Sequence, residues 1–392
     1  MTTAHEGLRE ALASRTHTNA EDWFLVYRAR HGMLVALREL RRRRGAGSVA
    51  TQLLTCCTAV DPIIAAGLTP VYGDVAAQTL SLDAAVLPQT DDLRAVMMQH
   101  TFGYIDQASA QALRAAADAQ GALLLEDSAH CVGRMAVDGA GAPIADVSFH
   151  SFGVEKMLPT YFGGAVWVSP KLGDSALRAD VVAALDGLPE PDGRLARAMR
   201  GYQTQVRVLN HLPAPLAHAL RSFLVGCGLL EPAIAPMEME GAVAHDPMAM
   251  DEWACDQVLG HFLTMPEQDE RRMSALASYA RELSGIAGVR VPESVLSSAQ
   301  PLLRLPVNLA DDAKADAAIA AIGALGLYVV PWYRPLLYPG VPDARSYGFD
   351  GSLANLPNTA SFTRGALALP CDLSDAQVRE AVAALRTIVG AQ

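Results

Sequence analysis

A net charge of −11 over 392 residues argues against a general nucleic-acid binder, because neutralising phosphates takes basic surface. Half of the residues are apolar (51%), enough for a sizeable core, and the length suggests two domains or one large domain with a satellite. No stretch approaches ~20 apolar residues without charge, so no membrane span is expected, and "MTTAHEGLREALASRTHTNAEDW" at the N-terminus holds no signal-peptide core, which points to the cytoplasm. In chain order, "HGMLVALREL" (His31–Leu40) has helical periodicity. The four arginines that follow, Arg41–Arg44, and then Gly45 describe a helix C-terminus rather than a nucleic-acid patch. "AVMMQ" (Ala95–Gln99) and "ALLLE" (Ala122–Glu126) are short apolar runs suited to strands buried on both faces. "DQASAQALRAAADAQG" between them reads as a helix with an acidic start and a terminal glycine. "DVSFH" (Asp146–His150) and "GGAVWV" (Gly163–Val168) continue the rhythm.

This alternation implies βαβ units and a mostly parallel sheet covered by helices. From Pro189 to Pro247 the chain is rich in proline, glycine and methionine and gives no clear element. A long helical pattern then runs through "DEWACDQVLGHFLTMPEQDERRMSALASYARELSGI", with a break expected at Pro266. A second alternation follows: "LLRLPVNL" as a strand, "DDAKADAAIAAIGALG" as a helix, and "LYVVPW" as a strand. The final helix opens with Ser374 and Gln377 at capping-box spacing. The expected division is a large domain over 1–250 and a smaller C-terminal α+β domain over 251–392.

Function in parallel α/β sheets collects just beyond the carboxyl ends of the strands. Here those positions hold His100 and Thr101, then Asp127 and His130, then Ser151 and Lys156. Lys156 is one of only three lysines, beside Lys171 and Lys314, in a chain whose other cations are arginines. Its amine can lose a proton and attack a carbonyl, which a guanidinium cannot do. Asp127 follows a buried strand, where a charge is costly without a partner. A lysine, a carboxylate for a pyridinium nitrogen, and hydroxyls with backbone N–H groups for a phosphate are what a pyridoxal 5′-phosphate (PLP) enzyme requires. "YFGGAVWV" after the lysine holds paired glycines that let backbone approach closely. The six cysteines form no CxxC pair, and no zinc site is expected.

The order of these pieces resembles the DegT/StrS family of PLP-dependent sugar aminotransferases, of the fold-type I aspartate aminotransferase superfamily. "SVATQLLTCCTAVDPIIAAGLTPVYGDVAAQTLSLD", "AVMMQHTFGYIDQASAQALRAAADAQGALLLEDSAHCVG", "SFGVEKMLPTYFGGAV" and "ANLPNTASFTRGALALPCDLSDAQV" are similar, in order, to the family's motifs. The resemblance implies an α/β PLP fold-type I large domain and a Lys156 Schiff base. It implies that Asp127 pairs with the pyridine nitrogen, that His130 contacts the ring hydroxyl and that Ser151 binds the phosphate. Thr55 and Cys56 fall near the ring face, and Arg30 falls where many members have the threonine of a Gly-Thr phosphate loop. It further implies an amino acid donor such as glutamate, a keto acceptor such as a keto sugar nucleotide, and a homodimer.

The sequence also departs from the family pattern. Ala29 and Arg30 replace the Gly-Thr pair, so Arg30 either grips a phosphate or forms a structural ion pair. Cys56 stands where an aromatic is common. "GAVAHDPMAMDEW" lacks the asparagine that many members contribute across the dimer interface. Glu155, directly before the lysine, is unusual at that place, and no account of it follows from the sequence. The departures keep two other readings open: a PLP enzyme of another reaction type, such as dehydration, elimination or a carbon–carbon bond step, and a non-catalytic relative that binds PLP or another ligand for regulation.

Overall fold

The short apolar runs assemble into one seven-stranded sheet, and the amphipathic segments cover it, in a computed structural model that describes residues 3–390. Helix α1 (Ala4–Thr16) leads into strand β1 (Trp23–Val26) and helix α2 (Ala29–Arg44). Then come β2 (Ser48–Thr51), α3 (Cys57–Ala65), β3 (Thr69–Tyr72), β4 (Leu93–Gln99), α4 (Gln107–Ala119), β5 (Leu123–Asp127), β6 (Val147–Ser151) and β7 (Gly164–Val168). Helices α5 (Ser175–Asp186), α6 (Gly193–Asn210), α7 (Ala214–Gly226), α8 (Glu252–Phe262), α9 (Met265–Leu283) and α10 (Glu293–Leu296) follow. The chain ends with β8 (Arg304–Asn308), α11 (Asp312–Gly323), α12 (Pro357–Thr363), β9 (Ala366–Pro370) and α13 (Asp375–Gly390).

Strand order in the large sheet is β1-β7-β6-β5-β4-β2-β3. Strands β6, β5, β4, β2 and β3 run parallel, and β7 is antiparallel to both its neighbours. The central strands are mostly apolar and almost wholly buried because helices cover both faces. The carboxyl ends of β4, β5 and β6 therefore lie side by side and deliver Gln99, Asp127 and Ser151 to one edge. Helix α2 ends as its arginines suggest: Gly45 takes a positive φ of 78° and its N–H returns to Arg41 O.

The C-terminal part is built on the antiparallel pair β8–β9, with a separate apolar core shared with α9, α11 and α13. The Asp74 carboxylate accepts the Asn358 and Thr359 N–H groups and the Thr359 hydroxyl at 2.7–2.8 Å, fastening α12 to the large sheet's side of the molecule. Helix α8 packs back on α1. Among the described residues no helix is long and apolar enough to cross a membrane.

Three expectations change. "LYVVPW" is not a strand: only Val330 makes a bridge, to Ala368, because Pro331 has no N–H to extend the ladder and the chain turns away with Trp332 and Tyr333 buried. The break in the long helical segment falls at Leu263–Thr264, and Pro266 sits in the first turn of α9, where its missing N–H costs nothing. The stretch without a clear element contains the helical hairpin α6–α7, whose second helix buries no residue.

Candidate active site

A cavity of about 340 Å³ opens at the carboxyl ends of the central strands. Its lining includes Arg30, Thr55, Cys56, Asp127, His130, Ser151 and Lys156, so every residue singled out from the sequence meets in one place. Asp127 ends β5 and is 8% exposed. Its Oδ2 accepts from Gln99 Nε2 (3.0 Å) and its Oδ1 from the Ala129 N–H (2.9 Å). The same Gln99 amide donates to Thr55 Oγ1 (2.6 Å). Asp127 therefore keeps lone pairs and has no cation bonded to it among the described residues, an arrangement that suits a protonated ring nitrogen as partner.

Lys156 sits in the loop between β6 and β7, whose ends are register partners at Ser151 and Gly164. Burial pushes its amine below the ordinary lysine range, against the nearby charges of Cys56, Asp127 and Glu155. No hydrogen bond holds it among the described residues. An unengaged lysine amine that burial makes easier to deprotonate is suited to act as a nucleophile. The loop is seated by close backbone approach: a Cβ on Gly164 would stand 2.5 Å from the Ala29 nitrogen. That contact brings the first turn of α2 against the site. Ser151 Oγ accepts the Gly153 N–H (3.3 Å), and the residue lines the same cavity.

His130 is buried, with Nδ1 accepting the Phe102 N–H (3.2 Å). This assigns the remaining ring proton to Nε2. Burial holds the imidazole well below its usual range, so it is neutral. Its ring stacks on Trp332 at 5.1 Å and 4°. Arg30 realises the ion-pair reading: Nε lies 3.1 Å from Glu238 Oε1, and Nη2 donates to Ala233 O (2.8 Å). Its guanidinium nonetheless remains in the cavity wall.

Glu155 adopts a positive φ of 60° and accepts from the Tyr328 hydroxyl, which ties the lysine loop to the C-terminal part of the chain. Sequence reasoning missed the aromatic wall of Trp332, Tyr333 and Tyr338, which it assigned in part to a strand. The signal was present in "VPWYRPLLYP", where prolines on both sides of an aromatic cluster disfavour a regular strand. It also missed Gln99, a polar residue ending an apolar run.

The arrangement fits PLP. A lysine amine without a hydrogen bond, a carboxylate without a cation, a neutral imidazole donor, a hydroxyl and the first turn of a helix line one cavity. Comparison with known proteins points the same way. Residues 17–206 match the model of the DegT/DnrJ/EryC1/StrS aminotransferase family. A 121-residue stretch is 35% identical to the spore coat polysaccharide biosynthesis protein SpsC of Bacillus subtilis, covering 30% of this chain and 30% of that protein. The aminotransferase TlmJ of Streptoalloteichus hindustanus superposes with a TM-score of 0.69 at 21% identity, over 100% of this chain and 92% of that one. NtdA of Bacillus subtilis, solved with bound cofactor PMP, superposes with a TM-score of 0.70 at 14% identity, over 100% of this chain and 78% of that one. At these identities the two structures show a shared fold.

Proposed function

We propose, from the premise that the chain belongs to the DegT/DnrJ/EryC1/StrS aminotransferase family, that it is a PLP-dependent aminotransferase acting on a sugar. The observation that carries this reading is the pairing, in one cavity, of a lysine amine without a hydrogen bond and a carboxylate without a cation. When bound, PLP supplies an electron sink for the α-carbon of the amino donor.

Lys156 supplies the amine that holds the cofactor's aldehyde. The same amine would carry the proton to and from the substrate α-carbon, a role that the lowering of its pKa by burial suits. Asp127 would keep the ring nitrogen protonated, and Gln99 fixes the orientation of that carboxylate. His130, whose Nδ1 is occupied by the Phe102 N–H, would offer Nε2–H to the ring hydroxyl. Ser151 and the first turn of α2 would hold the phosphate. Trp332, Tyr333 and Tyr338 shape the space left for the substrate.

The donor we propose is glutamate and the acceptor a keto sugar nucleotide, with ping-pong kinetics and a homodimeric assembly. We read the chain as a large cofactor-binding unit over 1–250 and a smaller unit over 251–392.

Purified protein with PLP should show a visible absorption band that borohydride abolishes. Glutamate should shift the band and release 2-oxoglutarate. A protein that stays colourless with added PLP sinks the reading. A coloured protein that no amino acid changes would redirect it to another PLP reaction.

A further inference from the structure

Ala275, Leu276, Tyr279 and Leu283 of α9 pack in the C-terminal core. Arg272 sits on the same stripe one turn earlier, where the period calls for an apolar side chain, and it is 5% exposed. Its hydrogen-bond partners are three backbone carbonyls. Nη1 donates to Leu302 O (3.3 Å) and Leu303 O (3.4 Å), and Nη2 donates to Met157 O (3.2 Å). Among the described residues no carboxylate pairs with it. A buried cation without a counter-charge is costly, so its retention here calls for a reason beyond packing.

The three carbonyls supply that reason. Met157 directly follows Lys156. The Leu303 N–H donates to Phe102 O (2.9 Å), and the Phe102 N–H donates to His130 Nδ1 (3.2 Å). One guanidinium therefore joins the lysine loop to the segment that, through Phe102, orients the His130 ring. On the other side of Lys156, Glu155 accepts from the Tyr328 hydroxyl. Both neighbours of the lysine are thus held by the C-terminal part of the chain.

We propose that Arg272 is a positioning residue of the site, whose fork sets the Lys156 amine relative to His130 by fixing the Met157 carbonyl against Leu302 and Leu303. The inference rests on the reading of Lys156 given above. Arg272 does not line the cavity and acts through the main chain. A lysine at this place is a point donor without the planar fork and holds the two segments less rigidly.

The test compares the full chain with Arg272→Met and Arg272→Lys, each kept well below its own Tm. Two ligands of the cavity separate misplacement from collapse. PLP must react: the Lys156 amine adds to the aldehyde carbon, a C=N bond forms and water leaves. Pyridoxamine phosphate binds without that bond. Arg272→Met should slow formation of the borohydride-sensitive band about 10–10²-fold, the cost of an amine misplaced by about 1 Å, and leave the affinity for pyridoxamine phosphate within about twofold. Arg272→Lys should fall between Arg272→Met and the parent. In the cofactor-free protein, amide hydrogen exchange over residues 152–163 should quicken in Arg272→Met and stay unchanged over β5 and β6. Band formation at the parent rate in Arg272→Met overturns the proposal. Equal weakening towards both ligands, or exchange that quickens across the sheet as well, also overturns it, because Arg272 is then a general stabiliser. A parent in which PLP forms no band at Lys156 overturns the reading of Lys156 and this inference with it, so the two failures are distinct. If Arg272→Met does not fold, Arg272→Lys decides by the same two ligands.

Discussion

The cavity has two walls of different construction. One is made at the ends of parallel strands, where Gln99, Asp127 and Ser151 come from neighbouring strands in fixed register. The other is made of irregular chain: Ala233 and Ile234 on one side, and Trp332, Tyr333 and Tyr338 on the other. Loop hydrogen bonds hold this second wall. Tyr338 N–H reaches Thr55 O (2.8 Å), Cys57 N–H reaches Tyr338 O (2.9 Å), and Leu337 N–H reaches Leu53 O (3.2 Å). Arg28 donates to the carbonyls of Pro232 (2.9 Å) and Ala233 (3.1 Å). The strand-end wall carries groups to which the proposed function gives chemical roles, and the irregular wall shapes the space beside them. Topology places the first with little freedom, whereas the second can be remodelled without disturbing the sheet.

The largest expected effect tests the chemical side. Lys156→Ala should lower turnover by more than about 10³-fold and remove the borohydride-sensitive band, with little change in Tm. A surviving band would move the assignment to Lys171 or Lys314. Asp127→Asn should cost about 10²–10³-fold in turnover, visible in both half-reactions measured by stopped flow. An effect confined to the acceptor half would mean that Asp127 belongs to the substrate wall.

Trp332→Ala should act on the other wall. It should raise the acceptor KM about tenfold, leave the rate with the amino donor within a few-fold, and cost about 3–5 kcal/mol of stability, because the ring is 4% exposed and stacked on His130. Equal losses in both half-reactions would erase the distinction between the walls.

Asp61 tests what lies behind the irregular wall. It is fully buried, its Oδ1 accepts from the Tyr347 hydroxyl (2.6 Å), and burial pushes its carboxyl up to about 9. The unfolded value is about 3.9, so the folded protein binds the extra proton between these limits. Stability then falls as pH rises through that window, by up to about 1.4 kcal/mol per pH unit. Asp61→Asn keeps an acceptor for Tyr347 and should flatten the decline in thermal scans from pH 5 to 8. The smallest effect is expected at the seam: Tyr328→Phe removes a bond between half-exposed groups and should change KM or kcat by about twofold at most.

The same division governs what could be read from the amino acids. Strands β4 and β5 hold short apolar runs and β6 continues the rhythm, and their ends name Asp127, Ser151 and the loop holding Lys156. That signal is local and periodic, and the parallel order of the strands converts it into a site. The aromatic wall has no period to follow. Its residues converge only because Cys57, Thr55 and Leu53 bind its backbone from far away in the chain. Helices α6 and α7 were illegible for a related reason. Prolines and glycines punctuate the stretch, and α7 leaves apolar residues such as Leu216 and Phe223 exposed, so its pattern does not single out a covered face. Arg30 was legible as a cation at the site, but its partner Glu238 is set by a fold contact across more than two hundred residues.

The pairing of Ser151 with Gly164 has one more consequence. It makes residues 152–163 a hairpin connection between adjacent antiparallel strands, closed at both ends by the sheet and seated on α2 by the missing Cβ of Gly164. The number of residues in that connection is therefore a coordinate of the site. A single insertion or deletion on either side of Lys156 should leave the strands and the cavity side chains they carry in place, yet move the amine by up to about 3.5 Å, one residue's reach. Counting residues around the hairpin is thus as informative about whether a related chain keeps this chemistry as asking whether it keeps the lysine.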